Sequence, residues 1–402
     1  MKRSKLRSPS LRWLIALTLV GAVACGNGET TDDTGDADTD TTDADADEAE
    51  EDDAEQDDAA AAGEFGPVSW QYASYLAPGS SLMDAIANYL NEVNGATGGT
   101  TEVEEFYQEA LLGATDILGG VADGRAELGF TIALYHPGEL PLSQVVGVPF
   151  VTEDAEAQVR TFNDLYASND VFRDEWQRQG VHVLSFTPLT NSIVATTEPL
   201  EGLDDLRGKS IRSVGFLAGA MEIIGVNPVA MPAPEIFEGL ERGVIEGASS
   251  YPFDVFIAAG LDEAAPYITE PGTGLYNLGV IIISQQVWES MDPARQQVMT
   301  DLIDNYYVDH SLELLSQEEA ARCDEFLADG GTPNVFSDEE TAQWESEVGD
   351  SVVDRWRSAA VDAGVSESDV DAFFEEYRST LESYEAESSY VPGLRACAAR
   401  AG

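Results

Sequence analysis

Lysine is nearly missing from this chain. Of 402 residues only Lys2, Lys5 and Lys209 carry an ammonium, and 20 Lys and Arg stand against 75 Asp and Glu, a formal net charge of −55. That balance excludes nucleic acid and anionic lipid surfaces as partners, because both select a cationic face. Histidine and cysteine are equally scarce, at three each. His136, His182 and His310 are far apart, with no His-x-x-x-His pair and no Cys-x-x-Cys. The common zinc arrangements are therefore excluded, and no metal is expected. There is no Gly-x-Ser-x-Gly elbow and no Gly-x-x-x-x-Gly-Lys loop, and Gly272-Thr273-Gly274 lacks the third glycine of a dinucleotide fingerprint. No motif points to a catalytic residue or a cofactor, so none is expected and the chain does not read as an enzyme. A scattered Ser/His/Asp site on an envelope hydrolase would leave no such motif and stays open. Long apolar runs are missing too: no segment reaches eighteen consecutive apolar residues, so no membrane span is expected.

What is present begins with an export signal. Lys2, Arg3, Lys5, Arg7 and Arg12 form a basic start with no acidic residue, and Trp13 to Ala24 is a largely apolar run. Twelve residues are too few to cross roughly 30 Å of hydrocarbon as a helix, which fits a signal peptide over 1–24. The run ends Ala22-Val23-Ala24-Cys25, similar to a bacterial lipobox although Ala22 stands where Leu is commoner. The resemblance implies cleavage before Cys25 and lipidation of its thiol, giving a protein anchored to the outer face of the cell membrane or in the periplasm. An ordinary signal peptide with an incidental cysteine is the competing reading.

Residues 26–65 hold 18 acidic side chains, no basic one and a single aromatic. Such a stretch cannot bury enough apolar surface to offset its ordering entropy, so 25–65 reads as the lipidated cysteine followed by a disordered acidic linker. Asp36, Asp38 and Asp40 alternate as in a calcium loop, but Thr41 replaces the required glycine and Asp47 the bidentate glutamate. Residues 66–402 keep 57 acidic and 15 basic side chains, a net −42 with Lys209 as the lone lysine. A solvated acidic surface of that kind predicts adaptation to high salt, where screening removes self-repulsion. With Cys25 lipidated, Cys323 and Cys397 remain in an oxidising compartment as a candidate disulfide that would staple the C-terminal tail, 393–402, to a helix.

The folded part alternates strand and helix. Val68 to Tyr75 alternates as a strand, and Ser80 and Ser81 cap a helix whose Leu82, Ile86, Leu90 and Val93 share a face. Strands follow at Glu102–Tyr107, Ala126–Ile132, Val181–Thr187, Ser192–Thr196, Ser210–Val214 and Val244–Ser249. Helices are expected near Asp116–Ala122, Gly215–Gly225 and Pro234–Arg242. Gly279 to Ser284 (GVIIIS) reads as a buried central strand. Pro293 to Ala328 reads as one helix of roughly 50 Å, and Ser337 to Ser388 as two or three more. This βαβα order predicts an α/β fold with mostly parallel sheets.

These segments resemble the substrate-binding proteins of tripartite ATP-independent periplasmic (TRAP) transporters over about residues 66–390. The first half carries Leu112-Gly113, Asp116-Ile117-Leu118, Gly124, Ala126-Glu127-Leu128-Gly129 and Pro149-Phe150. The second half is more specific: Leu206-Arg207-Gly208-Lys209-Ser210-Ile211-Arg212 is similar to the family's strand that delivers its binding arginine. Gly225, Pro228-Val229, Met231, Glu235, Phe237, Leu240, Gly243 and Glu246-Gly247 continue the spacing. Glu246 replaces the usual Asp, and Ser213 the usual Val. No second arginine stands near Asn191 and Ser192, which argues against a ligand with two carboxylates.

The resemblance implies a two-domain periplasmic-binding-protein-like fold with a hinge, crossing strands and a long domain-spanning helix. Domain I would be 66–189 and 278–318, and domain II 190–277 and 319–392. It also implies a monomer that passes a small organic acid to the small and large membrane subunits of an ion-driven permease. An ATP-driven importer or a sensor system is the alternative partner of the same class. Arg212 is the residue expected to bind the ligand, since a planar guanidinium presents parallel donors to a carboxylate. Tyr75, Tyr135, His136, Asn191, Phe216, Ser250 and Tyr251 lie at strand ends or crossovers and are candidates for the remaining contacts, with packing or loop exposure as the competing account for each.

Overall fold

The computed structural model describes residues 65–401 apart from Pro232. The expected signal peptide, Cys25 and the acidic linker up to residue 64 lie outside the described residues. Among the described residues eleven strands form: β1 (Val68–Ala73), β2 (Thr101–Phe106), β3 (Leu128–Ile132), β4 (Val181–Thr187), β5 (Ser192–Thr196), β6 (Ser210–Arg212), β7 (Asn227–Val229), β8 (Gly247–Pro252), β9 (Tyr267–Glu270), β10 (Gly279–Ser284) and β11 (Thr332–Val335). They make two sheets, ordered β2-β1-β3-β10-β4 and β11-β9-β5-β8-β6-β7. This is an α/β fold of two sheet-centred halves.

Neither sheet is as parallel as expected. β1 runs parallel to β2 and β3, but β10 is antiparallel to both β3 and β4. In the second sheet β5 is antiparallel to β8 and β9, while the outer pairs are parallel. The reason is the path of the chain. It leaves the first sheet after β4, enters the second as β5, and returns from β9 into β10 without a crossover helix. A parallel neighbour needs such a crossover, and a direct return does not supply one. All six residues of β10 are buried, as a continuous apolar run packed on both faces requires.

The second of the two crossing segments, 188–191 and 271–278, is bonded to the start of β5 and to the loop at Thr152. Ser192 N donates to Gly274 O (3.0 Å), and Leu275 N donates to Thr152 O (3.1 Å). Gly274 has φ +82°, and a Cβ there would run into the Thr152 carbonyl. Only glycine fits this closely approached turn.

Three C-terminal helices clasp both halves: Asp338–Val348, Ser351–Asp362 and Glu367–Glu385. Trp344 Nε1 donates to Ala220 O (3.2 Å) on the second half, whereas Trp356 Nε1 donates to Pro141 O (3.0 Å) on the first. Phe373 and Tyr377 pack on Phe172 and Phe162, 5.1 and 5.5 Å between ring centroids. Residues 367–385 therefore sit beside the first sheet, although 319–392 was expected to accompany the second. Aromatic packing on the helix Ala155–Ser168 decides their place. The single helix expected over Pro293–Ala328 is divided by a π turn at Ile303–Tyr307, which rephases the inward stripe so that Tyr307 reaches Thr187 Oγ1 (2.8 Å). The expected tail, 393–402, folds as a helix over Gly393–Ala401, and Cys397 is bridged to Cys323 on the helix Val308–Ala328 (Cα–Cα 5.5 Å).

Candidate functional site

β6 ends at Arg212, and its neighbour β8 carries Ser249, Ser250 and Tyr251 shortly before its end at Pro252. In a regular strand successive carbonyls point to opposite sides. Ser250 breaks that rule with φ +56°, opposite a register shift between Ser192 and Val194 of β5. The distortion turns two consecutive carbonyls onto one donor: Arg212 Nη1 donates to Ser249 O and Ser250 O, each at 3.0 Å. Nε donates to Met231 O (3.1 Å). Hydroxyls lock the distortion in place. Ser250 N donates to Ser192 Oγ (3.1 Å), Val214 N donates to Ser250 Oγ (3.2 Å), and the Ser213 and Ser250 hydroxyls are 3.2 Å apart.

Arg212 is only 6% exposed and forms no ion pair among the described residues. In a chain this acidic, that is unusual. Most other arginines are paired, as Arg207 is with Asp204 and Glu347. Arg295 is also buried, but its guanidinium lies over Phe65 and Trp70. Burial pulls the Arg212 guanidinium below its ordinary pKa, and the groups that push back are the hydroxyls of Tyr276, Tyr251 and Tyr135. Nη2 donates to no group among the described residues.

An aromatic wall surrounds that charge and draws on both sheets. Tyr75, past the end of β1, packs edge-on to Tyr135 (5.5 Å) and against Phe130 of β3 (5.7 Å). Burial raises the Tyr75 phenol, with Tyr135 and Tyr276 adding to it. Phe216, in the first turn of the helix Gly215–Ile223, lies across from Gly147, where a Cβ would meet Tyr276 O at 3.2 Å and Phe216 Cδ2 at 3.8 Å. The structure thus brings Arg212, Tyr135, Ser250 and Tyr251 together, with Tyr75 joined through Tyr135 and Ser250 acting on Arg212 through its backbone, while Phe216 is placed only against Gly147. It does not bring in His136, whose Nε2 is turned back to Thr131 Oγ1 of β3 (3.3 Å) and whose pKa burial lowers.

Asn191 lies on the first crossing segment, 2% exposed, with its amide beside the buried carboxyl of Glu270, whose raised pKa it helps to hold down. The expectations drawn from the sequence omitted Tyr276 and Asn277. Both sit in the loop Gly274-Leu275-Tyr276-Asn277, which has no periodicity to mark them, and only a tyrosine-asparagine pair between two glycines was there to be noticed.

Other hollows and clusters carry less. A cavity of about 510 Å³ lies away from Arg212, lined among others by Tyr166, His182 and Trp288, with Arg160 and Arg173 at its rim. Those arginines are already paired with Glu156, Asp309 and Asp170. Among the described residues no group of three His, Cys, Asp or Glu is placed to hold a metal ion. No described helix is long and apolar enough to cross a membrane.

Comparison with known proteins identifies the family and the fold. Residues 72–358 match the family described as bacterial extracellular solute-binding protein, family 7. The ectoine-binding periplasmic protein TeaA of Halomonas elongata is 26% identical over 217 residues, 53% of this chain and 61% of that protein. The matched stretch spans about three fifths of the length of such curated relatives. A TRAP periplasmic solute-binding protein from Desulfovibrio salexigens superposes with a TM-score of 0.69 at 25% identity, covering 81% of this chain and 99% of that one. A TRAP solute-binding protein from Rhodoferax ferrireducens, solved with copurified benzoate, gives 0.69 at 20% identity over 79% and 99%, a likeness of fold.

Proposed function

This chain belongs to the bacterial extracellular solute-binding proteins of family 7, and on that premise we propose that it captures a small organic monocarboxylate on Arg212 and delivers it to a TRAP permease. One observation carries the reading: a guanidinium buried without a counter-ion, in a chain with acidic side chains to spare. Burying an unpaired charge is costly, and a ligand carboxylate offsets that cost with a charge-assisted pair. Carbonyls occupy Nε and Nη1 and fix the plane of the guanidinium, which leaves Nη2 to face the ligand. The tyrosines on both sheets then close over the body of the solute.

Trapping works as a two-state hinge. Closure across the crossing segments buries the carboxylate, and the low-dielectric surroundings strengthen its pair with Arg212. The closed form docks on the small and large membrane subunits, and an ion gradient drives release. Cys25 supplies the lipid anchor and the acidic linker the reach; the protein acts as a monomer outside the cytoplasm. On this reading domain I is built on the first sheet and domain II on the second.

The test is calorimetric titration of a panel of monocarboxylates into the wild-type protein and two variants. Arg212→Ala is expected to weaken binding by roughly 2–5 kcal/mol, and Arg212→Lys to restore little of it, because an ammonium cannot reproduce the planar fork. Unchanged affinity in the alanine variant would remove Arg212 from the site.

A further inference from the structure

The helix Gly393–Ala401 is tied to the second half of the molecule by a covalent bond and to the first half by a charge. Cys397 is bridged to Cys323 on the helix Val308–Ala328, and Leu394 is buried in one apolar cluster with Phe253, Phe326 and Ile268 of β9. Two polar contacts run beside the bridge: Gly393 N donates to Glu319 Oε1 (2.9 Å), and Arg400 pairs with Asp324. Between these anchors Arg395 reaches the other way, and its Nη2 meets Glu153 Oε2 at 2.8 Å. Glu153 lies just before the helix Ala155–Ser168, whose Phe162 packs on Phe186 of β4 (5.3 Å).

The loop that carries Glu153 supports the second crossing segment. Phe150 N donates to Thr273 O (3.0 Å), and Thr152 O accepts from Leu275 N (3.1 Å), one residue before Tyr276. A shift of Glu153 is therefore passed to the segment that joins β9 to β10. Charge points the same way. Glu153 lies within electrostatic range of Glu270, at the end of β9, and of Asp338, at the start of the helix Asp338–Val348. Arg395 offsets the charge of Glu153 and of Glu270. Without it, acids from three elements face one another and push the loop off the crossing.

An ion pair as exposed as this one contributes little when two free side chains must be ordered to form it. Here the bridge does the ordering. A helix of nine residues is marginal by itself. With Cys397 bonded to Cys323, the guanidinium two residues away is kept at high effective concentration beside Glu153. Both cysteines belong to the apolar cluster of the second sheet, so breaking the bridge removes nothing from the packing of the first.

We propose that Gly393–Ala401 is a redox-sensitive strap: with the Cys323–Cys397 bridge intact, Arg395 holds the Glu153 loop on the second crossing, and reduction of the bridge frees the crossing while both sheets stay folded. A dithiol supplies the two electrons and two protons, ending as a disulfide and leaving two thiols on the protein. The strap goes beyond the capture of a carboxylate and does not depend on it, since it acts on the crossing whatever the cleft holds.

Amide hydrogen exchange read by mass spectrometry tests this on the folded protein with no solute present. With the bridge intact, Arg395→Gln is expected to speed exchange at the Phe150 and Leu275 amides about two- to fivefold and to leave residues 393–401 unchanged. Dithiothreitol, with reduction confirmed by alkylation of Cys323 and Cys397, is expected to speed both 393–401 and those two amides by roughly tenfold or more. Cys397→Ser should do the same without reductant. β4 and β10 are expected to keep their wild-type exchange throughout. Unchanged exchange at Phe150 and Leu275 after the bridge is broken, or in Arg395→Gln, overturns the strap. So does a helix that stays protected when reduced, or a bridge that resists dithiothreitol in the folded protein. Loss of protection in β4 and β10 equal to that at the crossing overturns it as well, because the bridge would then hold the whole fold.

Discussion

At the scale of single residues the site depends on one serine as much as on the arginine it supports. Ser250 adopts φ +56°, a region that costs a non-glycine residue on the order of 1 kcal/mol, and its hydroxyl helps hold it there. Ser250→Ala is expected to leave Val214 N without its acceptor, lowering stability by about 1–3 kcal/mol in urea melts and weakening ligand binding as the carbonyls on Arg212 lose their aim. A stable variant with full affinity would show that the hydroxyl is dispensable. Glu270 sets a pH dependence. Burial raises its carboxyl from the ordinary 4.5 to about 8, with Glu153 adding to the rise and Arg395 opposing it. Because the folded value exceeds the unfolded one, the stabilisation is complete below about pH 4.5 and is lost as pH rises toward 8. The expected loss is about 1.4 kcal/mol per pH unit across that window. Glu270→Gln should flatten the wild-type fall in stability between pH 5 and 8 by about that slope. Parallel curves for the two proteins would mean Glu270 is ionised throughout.

At the scale of elements, strands bounded by turns were the most legible. Val181–Thr187, Ser192–Thr196 and Gly279–Ser284 form over the residues their composition suggested, since β-branched runs between Gly, Pro and polar residues leave little choice of register. The short strands Asn227–Val229 and Thr332–Val335 were not legible, because three or four half-exposed residues carry no period. Pro293–Ala328 reads as one helix because a π turn needs no Gly or Pro; it answers to Tyr89 and Thr187, which are distant in sequence. The site followed the same division. Arg212 stood out through the motif around it, whereas Tyr276 comes near it only when the second crossing folds back. The bridging helices yield a prediction at this scale. Trp344 is fully buried between Phe150 and the Ala220 carbonyl, and Trp344→Ala is expected to cost about 3–5 kcal/mol in guanidinium melts. A loss under about 1 kcal/mol would show that this helix does not tie the halves together.

At the scale of the whole molecule, charge dominates. Residues 66–402 carry 57 acidic side chains against 15 basic ones, and the ion pairs sit mostly on the surface, where each contributes little. Self-repulsion of that size should be relieved by screening, so the melting temperature is expected to climb from low salt to molar NaCl. A flat response would indicate that the acids are spaced too widely to repel. The same field disfavours anionic solutes at long range, which makes a single buried guanidinium the more necessary for holding one. Native mass spectrometry of wild-type and Arg212→Ala protein, purified side by side and matched for melting temperature, tests that claim most directly. A small organic acid released from the wild type and missing from the variant is the predicted result; equal occupancy of the two would contradict it.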